Sequence, residues 1–174
     1  ALKGLNIAPG LNRNFVSEKW LRVPEKLWNK ARQEAQESIK YDNDIRLQGY
    51  DIDEKVIKIA RSNAEKAGVS KYIHFQQRDV RDFSSKEKYG FIVTNPPYGE
   101  RLEDLKTVEQ LYRDMGKVFS KLDTWSFYIL TTHEGFERFF GRKADKKRKL
   151  YNGMIKTDLY QYLGPKPPKI NTVE

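Results

Sequence analysis

Phe91-Ile92-Val93-Thr94-Asn95-Pro96-Pro97-Tyr98 is a short apolar, β-branched run that stops on an asparagine and two prolines. The first four residues read as a strand. The prolines cannot continue it, because each lacks a backbone N–H and holds φ near about −65°. A cluster of carbonyl oxygens without matching donors is therefore expected at the strand terminus, with the Asn95 amide oxygen beside it and the flat ring of Tyr98 next in line. On either side of this stretch, strand-like and helix-like segments alternate. Before it come a helix over 24–40 opened by Pro24, with Leu27, Trp28, Ala31, Ala35 and Ile39 on one stripe, and a strand over 45–51. A helix over 55–67 stopped by Gly68, a strand over 72–75 and a loop over 79–83 follow. After it come a helix over 105–122, a nearly continuous apolar run over 125–132 that suits a strand buried on both faces, and a short helix over 134–140. Two strand-like runs, 146–151 and 154–163, are split by Asn152-Gly153, a strong hairpin signal. Gly164-Pro165-Lys166-Pro167-Pro168 reads as an extended exit. The expected fold is α/β, a mostly parallel sheet closed by a C-terminal antiparallel hairpin.

In such sheets ligands sit outside the carboxyl ends of the parallel strands, so the residues ending strands are the candidates for chemistry. Asp51, Asp79 and Asn95 occupy those places. A carboxylate at Asp51 can accept both hydroxyls of a ribose. Asp53, two residues on, reads more readily as the N-cap of the following helix. Asp79 can accept from an adenine amino group with Val80 against the ring, or serve only as a turn former. At Asn95-Pro96-Pro97-Tyr98 the side-chain oxygen of Asn95 and the carbonyl of Pro96 can hold the two hydrogens of an exocyclic amine, turning its lone pair toward an incoming methyl group. Such holding acts through alignment and requires no strong base. Tyr98 offers a face on which an extruded base can stack. The competing reading is a Pro-Pro turn with a packed tyrosine.

Composition narrows the partner. In 174 residues the formal net charge is +9 and the pI about 9.5, which suits a polyanion such as RNA or DNA. The length is that of one domain. Lys143, Lys146, Lys147, Arg148 and Lys149, close to Tyr151, suit contact with phosphates and equally suit a strand edge guarded by lysines. Cysteine is absent and the two histidines, His74 and His133, are far apart, which excludes disulfides and Cys-containing zinc sites and gives no sign of any metal. His133 ends the 125–132 strand on the side where ligands are expected. Trp20, Trp28 and Trp125 read as core. With no apolar run of about twenty residues and no basic-then-apolar start, the reading is of a soluble, cytoplasmic protein without a membrane partner.

Gly49-Tyr50-Asp51-Ile52-Asp53, Arg78-Asp79-Val80, Thr94-Asn95-Pro96-Pro97-Tyr98-Gly99-Glu100-Arg101-Leu102 and Gly153-Met154-Ile155-Lys156-Thr157 together resemble the catalytic domain of THUMP-associated RNA guanine-N2 methyltransferases, the group that modifies 23S ribosomal RNA. Asn6-Ile7-Ala8-Pro9-Gly10-Leu11-Asn12-Arg13 is similar too. The resemblance implies a class I Rossmann-like methyltransferase sheet and S-adenosylmethionine as donor. It places Asp51 and Ile52 at the ribose, Asp79 and Val80 at the adenine, and Asn95 to Tyr98 at the target amine, with Glu100 and Arg101 bordering the site. Lys146, Lys147 and Arg148 are the candidate RNA contacts. It also implies a first strand with a glycine-rich loop, and further upstream a THUMP domain, neither of which lies in this chain. Residues 1–174 are then expected to be part of a methyltransferase domain. Adenine-N6 and glutamine-N5 methyltransferases share the tetrapeptide and stay open as alternatives, as does an RNA-binding relic without catalysis.

Overall fold

The computed structural model describes residues 1–99 and 102–168; the expectations for Glu100 and Arg101 lie outside the described residues. The chain forms two compact units, residues 1–78 and Asp79 onward.

The first unit holds α1 (Glu25–Glu37), β1 (Leu47–Asp51), α2 (Glu54–Lys66) and β2 (Ile73–Gln77). β1 and β2 pair in parallel with Leu47 opposite Ile73 and Asp51 opposite Gln77. α2 is the crossover between them, and local chemistry sets both its ends. Asp53 caps the first turn by accepting from the Lys55 amide at 2.7 Å. At the other end Gly68 takes φ +68°, its amide bonds Glu65 and the next amide, Val69, reaches back to Ala64. That is the Schellman pattern, completed by burial of Val69 against Ala64. Leu5, fully buried, joins these two in the small core. α1 forms as its periodicity predicts, but its apolar stripe buries no residue, and Leu27 is half exposed. Trp28 stacks on Phe15 at 5.9 Å instead of entering a core. Trp20 is 62 % exposed, which corrects its reading as a core residue: an isolated tryptophan in a polar stretch has no periodic face to carry it inward.

The second unit holds β3 (Phe91–Thr94), α3 (Leu102–Phe119), β4 (Ser126–Thr131), α4 (Phe136–Phe140), β5 (Lys146–Asn152) and β6 (Ile155–Tyr162). Its four strands are ordered β3-β4-β6-β5. β3 and β4 run parallel, and β6 lies antiparallel to both β4 and β5. The expected C-terminal hairpin thus closes the sheet. Its turn sits one residue later than expected: Asn152 pairs with Ile155, leaving Gly153 and Met154 as the loop. Gly153, at φ +61°, occupies the first loop position, where a II′ hairpin requires glycine. The core is largely aromatic. Tyr112, Met115 and Phe119 from α3, Phe127 and Ile129 from β4, Phe136 and Phe140 from α4, and Tyr160 and Tyr162 from β6 are all buried. Trp125 is half buried against this core and bonds the Glu87 carbonyl through its indole N–H at 2.8 Å.

Each unit leaves parallel strands with an open edge among the described residues. β1 pairs only with β2, and β3 only with β4. On β3 the alternate residues Phe91 and Val93 are 68 % and 80 % exposed, so that face of the strand is uncovered among the described residues. No helix among the described residues is long and apolar enough to cross a membrane.

Candidate active site

The site forms where β3 ends. Asn95 is exposed, Pro96 buried, Pro97 exposed and Tyr98 half buried, so the turn is held at alternate residues. Neither proline can donate a hydrogen bond. The turn is secured instead by what it accepts. The Tyr98 hydroxyl donates to the Asn95 side-chain oxygen at 2.5 Å, and the Tyr112 hydroxyl of α3 donates to the Pro97 carbonyl at 2.9 Å. The first bond orients the Asn95 amide and uses one of its oxygen's two lone-pair directions, leaving the other to accept an amine hydrogen. It also ties the tip of the Tyr98 ring to Asn95.

Behind the turn lies a fully buried pair, Tyr112 and Thr131, whose hydroxyls are 2.9 Å apart. Thr131, the last residue of β4, accepts from the His133 amide at 3.1 Å. Burial holds the Tyr112 phenol above the usual tyrosine range, and the bond from Thr131 offsets part of that. The His133 ring is wedged edge-on against Tyr112 (5.6 Å) and Phe139 (5.4 Å). Its Nε2 is 3.8 Å from a Glu109 carboxylate oxygen, and its Nδ1 is buried without a hydrogen-bond partner among the described residues. His133, expected at the ligand side of the sheet, therefore lies one ring behind the Asn-Pro-Pro-Tyr turn. Tyr112, Thr131 and Glu109 escaped the sequence reading. One signal was present: Tyr112 falls on the buried stripe of α3 with Val108, Met115 and Phe119, and a tyrosine there must find a partner for its hydroxyl.

Asp79 and Val80 belong to the same unit. Asp79 caps a one-turn 3₁₀ segment over Val80–Asp82 through the Arg81 amide (2.8 Å). Its carboxylate is further gripped by the Arg81 guanidinium, Nε on Oδ1 at 2.9 Å and Nη2 on Oδ2, which lowers its pKa. The turn-forming reading of Asp79 is thus realised in full, and Val80 packs on the unit's core. An amine reaching this carboxylate shares it with Arg81 or displaces the guanidinium. Asp51 and Ile52 lie in the other unit. Asp51 ends β1, where its Oδ1 accepts from the Asp53 amide at 2.9 Å; Ile52 is 62 % exposed. That bond leaves Oδ2 of Asp51 without a partner among the described residues.

The basic residues of β5 divide. Lys147 bridges to the buried Asp158 at 3.1 Å and lies 4.7 Å over the Tyr160 ring, and these contacts raise its pKa. It is committed to holding the hairpin. Lys146, Arg148 and Lys149 are exposed on the same edge strand, as is Tyr151 at 67 %. No group of acidic residues and histidines among the described residues is arranged to hold a metal ion.

The sequence profile of the UPF0020 family, described as an RMKL-like methyltransferase domain, matches residues 1–161. A relative in Bacillus subtilis (strain 168), YpsC, which bears the name of an RNA methyltransferase, is 52 % identical over the whole chain, which covers 45 % of that protein. The ribosomal RNA large subunit methyltransferase K/L of Legionella pneumophila (strain Philadelphia 1) is 37 % identical over 92 % of the chain, covering 23 % of that protein. The crystal structure of SMU.472, a protein described as a methyltransferase and complexed with SAH, superposes with a TM-score of 0.92 at 47 % identity, covering 96 % of this chain and 44 % of that one. The chain thus spans less than half the length of each.

Proposed function

The chain belongs to the RMKL-like methyltransferase domain family, and from that membership we propose that the protein containing it transfers a methyl group from S-adenosylmethionine to the exocyclic N2 amine of a guanine in 23S ribosomal RNA. The observation that carries the reading is the donor-free turn at the end of β3, with the Asn95 amide oriented by Tyr98 and the Pro97 carbonyl anchored by Tyr112. An amine conjugated to a base ring is a weak nucleophile. Two fixed acceptors, the Asn95 side-chain oxygen and the Pro96 carbonyl, hold its hydrogens and turn the lone pair outward, which contributes through orientation. Tyr98 receives the base. As the methyl–sulfur bond breaks its electron pair stays on sulfur, and the nitrogen, now cationic and acidic, gives up its proton to solvent, which reaches the site at the exposed Asn95.

The donor supplies an electrophilic methyl group on a sulfonium. Asp51 fits its ribose, because it ends β1 and the oxygen not used by the Asp53 amide is left to accept. Asp79 fits its adenine only when the Arg81 fork yields a lone pair, with Val80 beside it. The open edge of β3 supports the reading that a further strand, from a THUMP-bearing chain upstream of Ala1, completes the domain. The net charge of +9 and the exposed Lys146 and Arg148 of β5 suit an RNA partner; the relative named for ribosomal RNA methylation supports that choice, and with it a cytoplasmic setting.

Nucleoside mass analysis of ribosomal RNA from cells lacking the gene tests the proposal. One N2-methylguanine is expected to disappear and to return with the wild-type gene but not with Asn95→Ala. Loss of N6-methyladenine in its place assigns the adenine reaction, and an unchanged modification set refutes the RNA substrate.

A further inference from the structure

The buried hydroxyls behind the turn have only one consistent donor order. The Pro97 carbonyl can only accept, so the single Tyr112 hydroxyl hydrogen goes to it. The contact between the Tyr112 and Thr131 hydroxyls must then be made by the Thr131 hydrogen. Thr131 in turn receives the His133 amide N–H, which can only donate. The chain runs in one direction: His133 N–H to Thr131 Oγ, Thr131 O–H to Tyr112 Oη, Tyr112 O–H to Pro97 carbonyl. Each member polarises the next in the same sense, which strengthens the last bond. Both hydroxyl side chains are fully buried, so water does not compete for them.

We propose that Tyr112 is a positioning residue for methyl transfer: through this one-way relay from the end of β4 it pins the Pro97 carbonyl, and with it the turn that presents Asn95 and Pro96 to the target amine. The proposal rests on the reading of that turn as the amine-binding site. Two prolines remove every amide donor from the centre of the turn, so the turn is anchored to the body of the unit by acceptance of a bond. Tyr112 supplies it from a helix and Thr131 from a strand, elements that the same core locks together. The phenol stays protonated because burial raises its pKa, keeping the hydrogen on which the relay depends. Thr131 sets the sense of the relay by filling the Tyr112 lone pair from behind.

The test uses the longest natural form of the protein, with 13C-carbonyl-labelled proline and methylation assays on ribosomal RNA. Tyr112→Phe keeps the ring packed against Phe136 and His133 while removing the hydroxyl. It is expected to lower kcat by tenfold or more with donor KM within about twofold of wild type, and to shift the Pro97 carbonyl resonance. Thr131→Val is expected to give a smaller loss of kcat, and Thr131→Ser, which retains the hydroxyl, to restore most of it; a structural role of bulk alone predicts the opposite ranking of valine and serine. A folded Tyr112→Phe with wild-type kcat overturns the proposal. If the wild-type protein methylates no RNA, the proposed function fails and the Pro97 resonance decides the anchoring: a shift in Tyr112→Phe upholds it, and an unmoved signal refutes it.

Discussion

Replacing Gly116 by alanine sets two sizeable effects against each other. Gly116 lies inside α3 where α4 crosses it, and a Cβ there would stand 2.1 Å from the Phe140 carbonyl oxygen and 3.0 Å from its carbon. Alanine in a helix interior is favoured over glycine by about 1 kcal/mol. Against that, contacts under 3.0 Å are essentially never seen, so the two helices must part by about 0.9 Å. The obstructing atom is backbone and cannot rotate away. Overpacking of this kind costs about 1–3 kcal/mol and at times more, and a backbone clash belongs at the upper end. The displaced segment also carries Phe136, fully buried and edge-on to Tyr112 at 4.9 Å. The net expectation is a loss of about 2 kcal/mol, which lowers a urea midpoint by about 1 M at a slope of about 2 kcal/mol/M. Gly68→Ala is the control: its added Cβ meets nothing within 4 Å, and only the φ of +68° is unfavourable, at about 1 kcal/mol. Equilibrium unfolding followed by fluorescence compares the three proteins. A Gly116→Ala midpoint equal to or above wild type refutes the close-approach argument.

Alkaline pH should weaken the second unit. Burial raises both Tyr112 and Tyr162 above the ordinary value of 10.0, so the folded state keeps protons that the unfolded chain releases. The stability they contribute is present in full below about pH 10 and is lost as pH climbs toward the folded-state values. Urea midpoints should be flat below about pH 10 and fall as pH rises above it, and less steeply in Tyr162→Phe; equal slopes in the two proteins contradict the assignment. On β5, Lys146→Ala with Arg148→Ala should weaken RNA binding and flatten its dependence on salt, by up to about one unit of slope for each phosphate that is no longer neutralised, with thermal stability nearly unchanged. Lys147→Ala should instead lower the melting temperature, because it leaves the buried Asp158 carboxylate unpaired. Filter binding across a salt series and thermal melts separate the two, and a Lys147→Ala protein of wild-type stability counts against its structural role.

Much of the fold was legible along the chain because it follows from short-range rules. Asp53 could be recognised as a cap, Gly68 as a helix stop and Phe91–Thr94 as a strand ended by prolines, since each depends on residues within one turn or one strand of itself. The candidate amine-binding turn was legible for the same reason: removing two adjacent backbone donors at a strand end has consequences that need no tertiary contact. The hairpin was visible too, although its turn moved from Asn152-Gly153 to Gly153-Met154, because pairing with β4 as well as β5 sets the register of β6.

Long-range contacts settled the remainder. The stripe of α3 shows that Tyr112 faces inward, but not that its hydroxyl meets a carbonyl 15 positions earlier and a threonine 19 positions later. Side-chain periodicity specifies a face, whereas a hydrogen bond needs a partner atom within about 3 Å, which the packing of α3 on the sheet supplies. Trp20 and Trp28 followed the same limit in reverse: both read as core along the chain, yet Trp20 is 62 % exposed and Trp28, on a helix that buries no residue, is half buried against Phe15 instead. Lys147 and its neighbours on β5 are alike as a run of charges. Strand pairing sets Lys147 opposite Tyr160, from where it reaches diagonally to Asp158, and leaves Lys146 and Arg148 to solvent, so the division of that basic strand into a structural cation and candidate phosphate contacts exists only once the strands are paired.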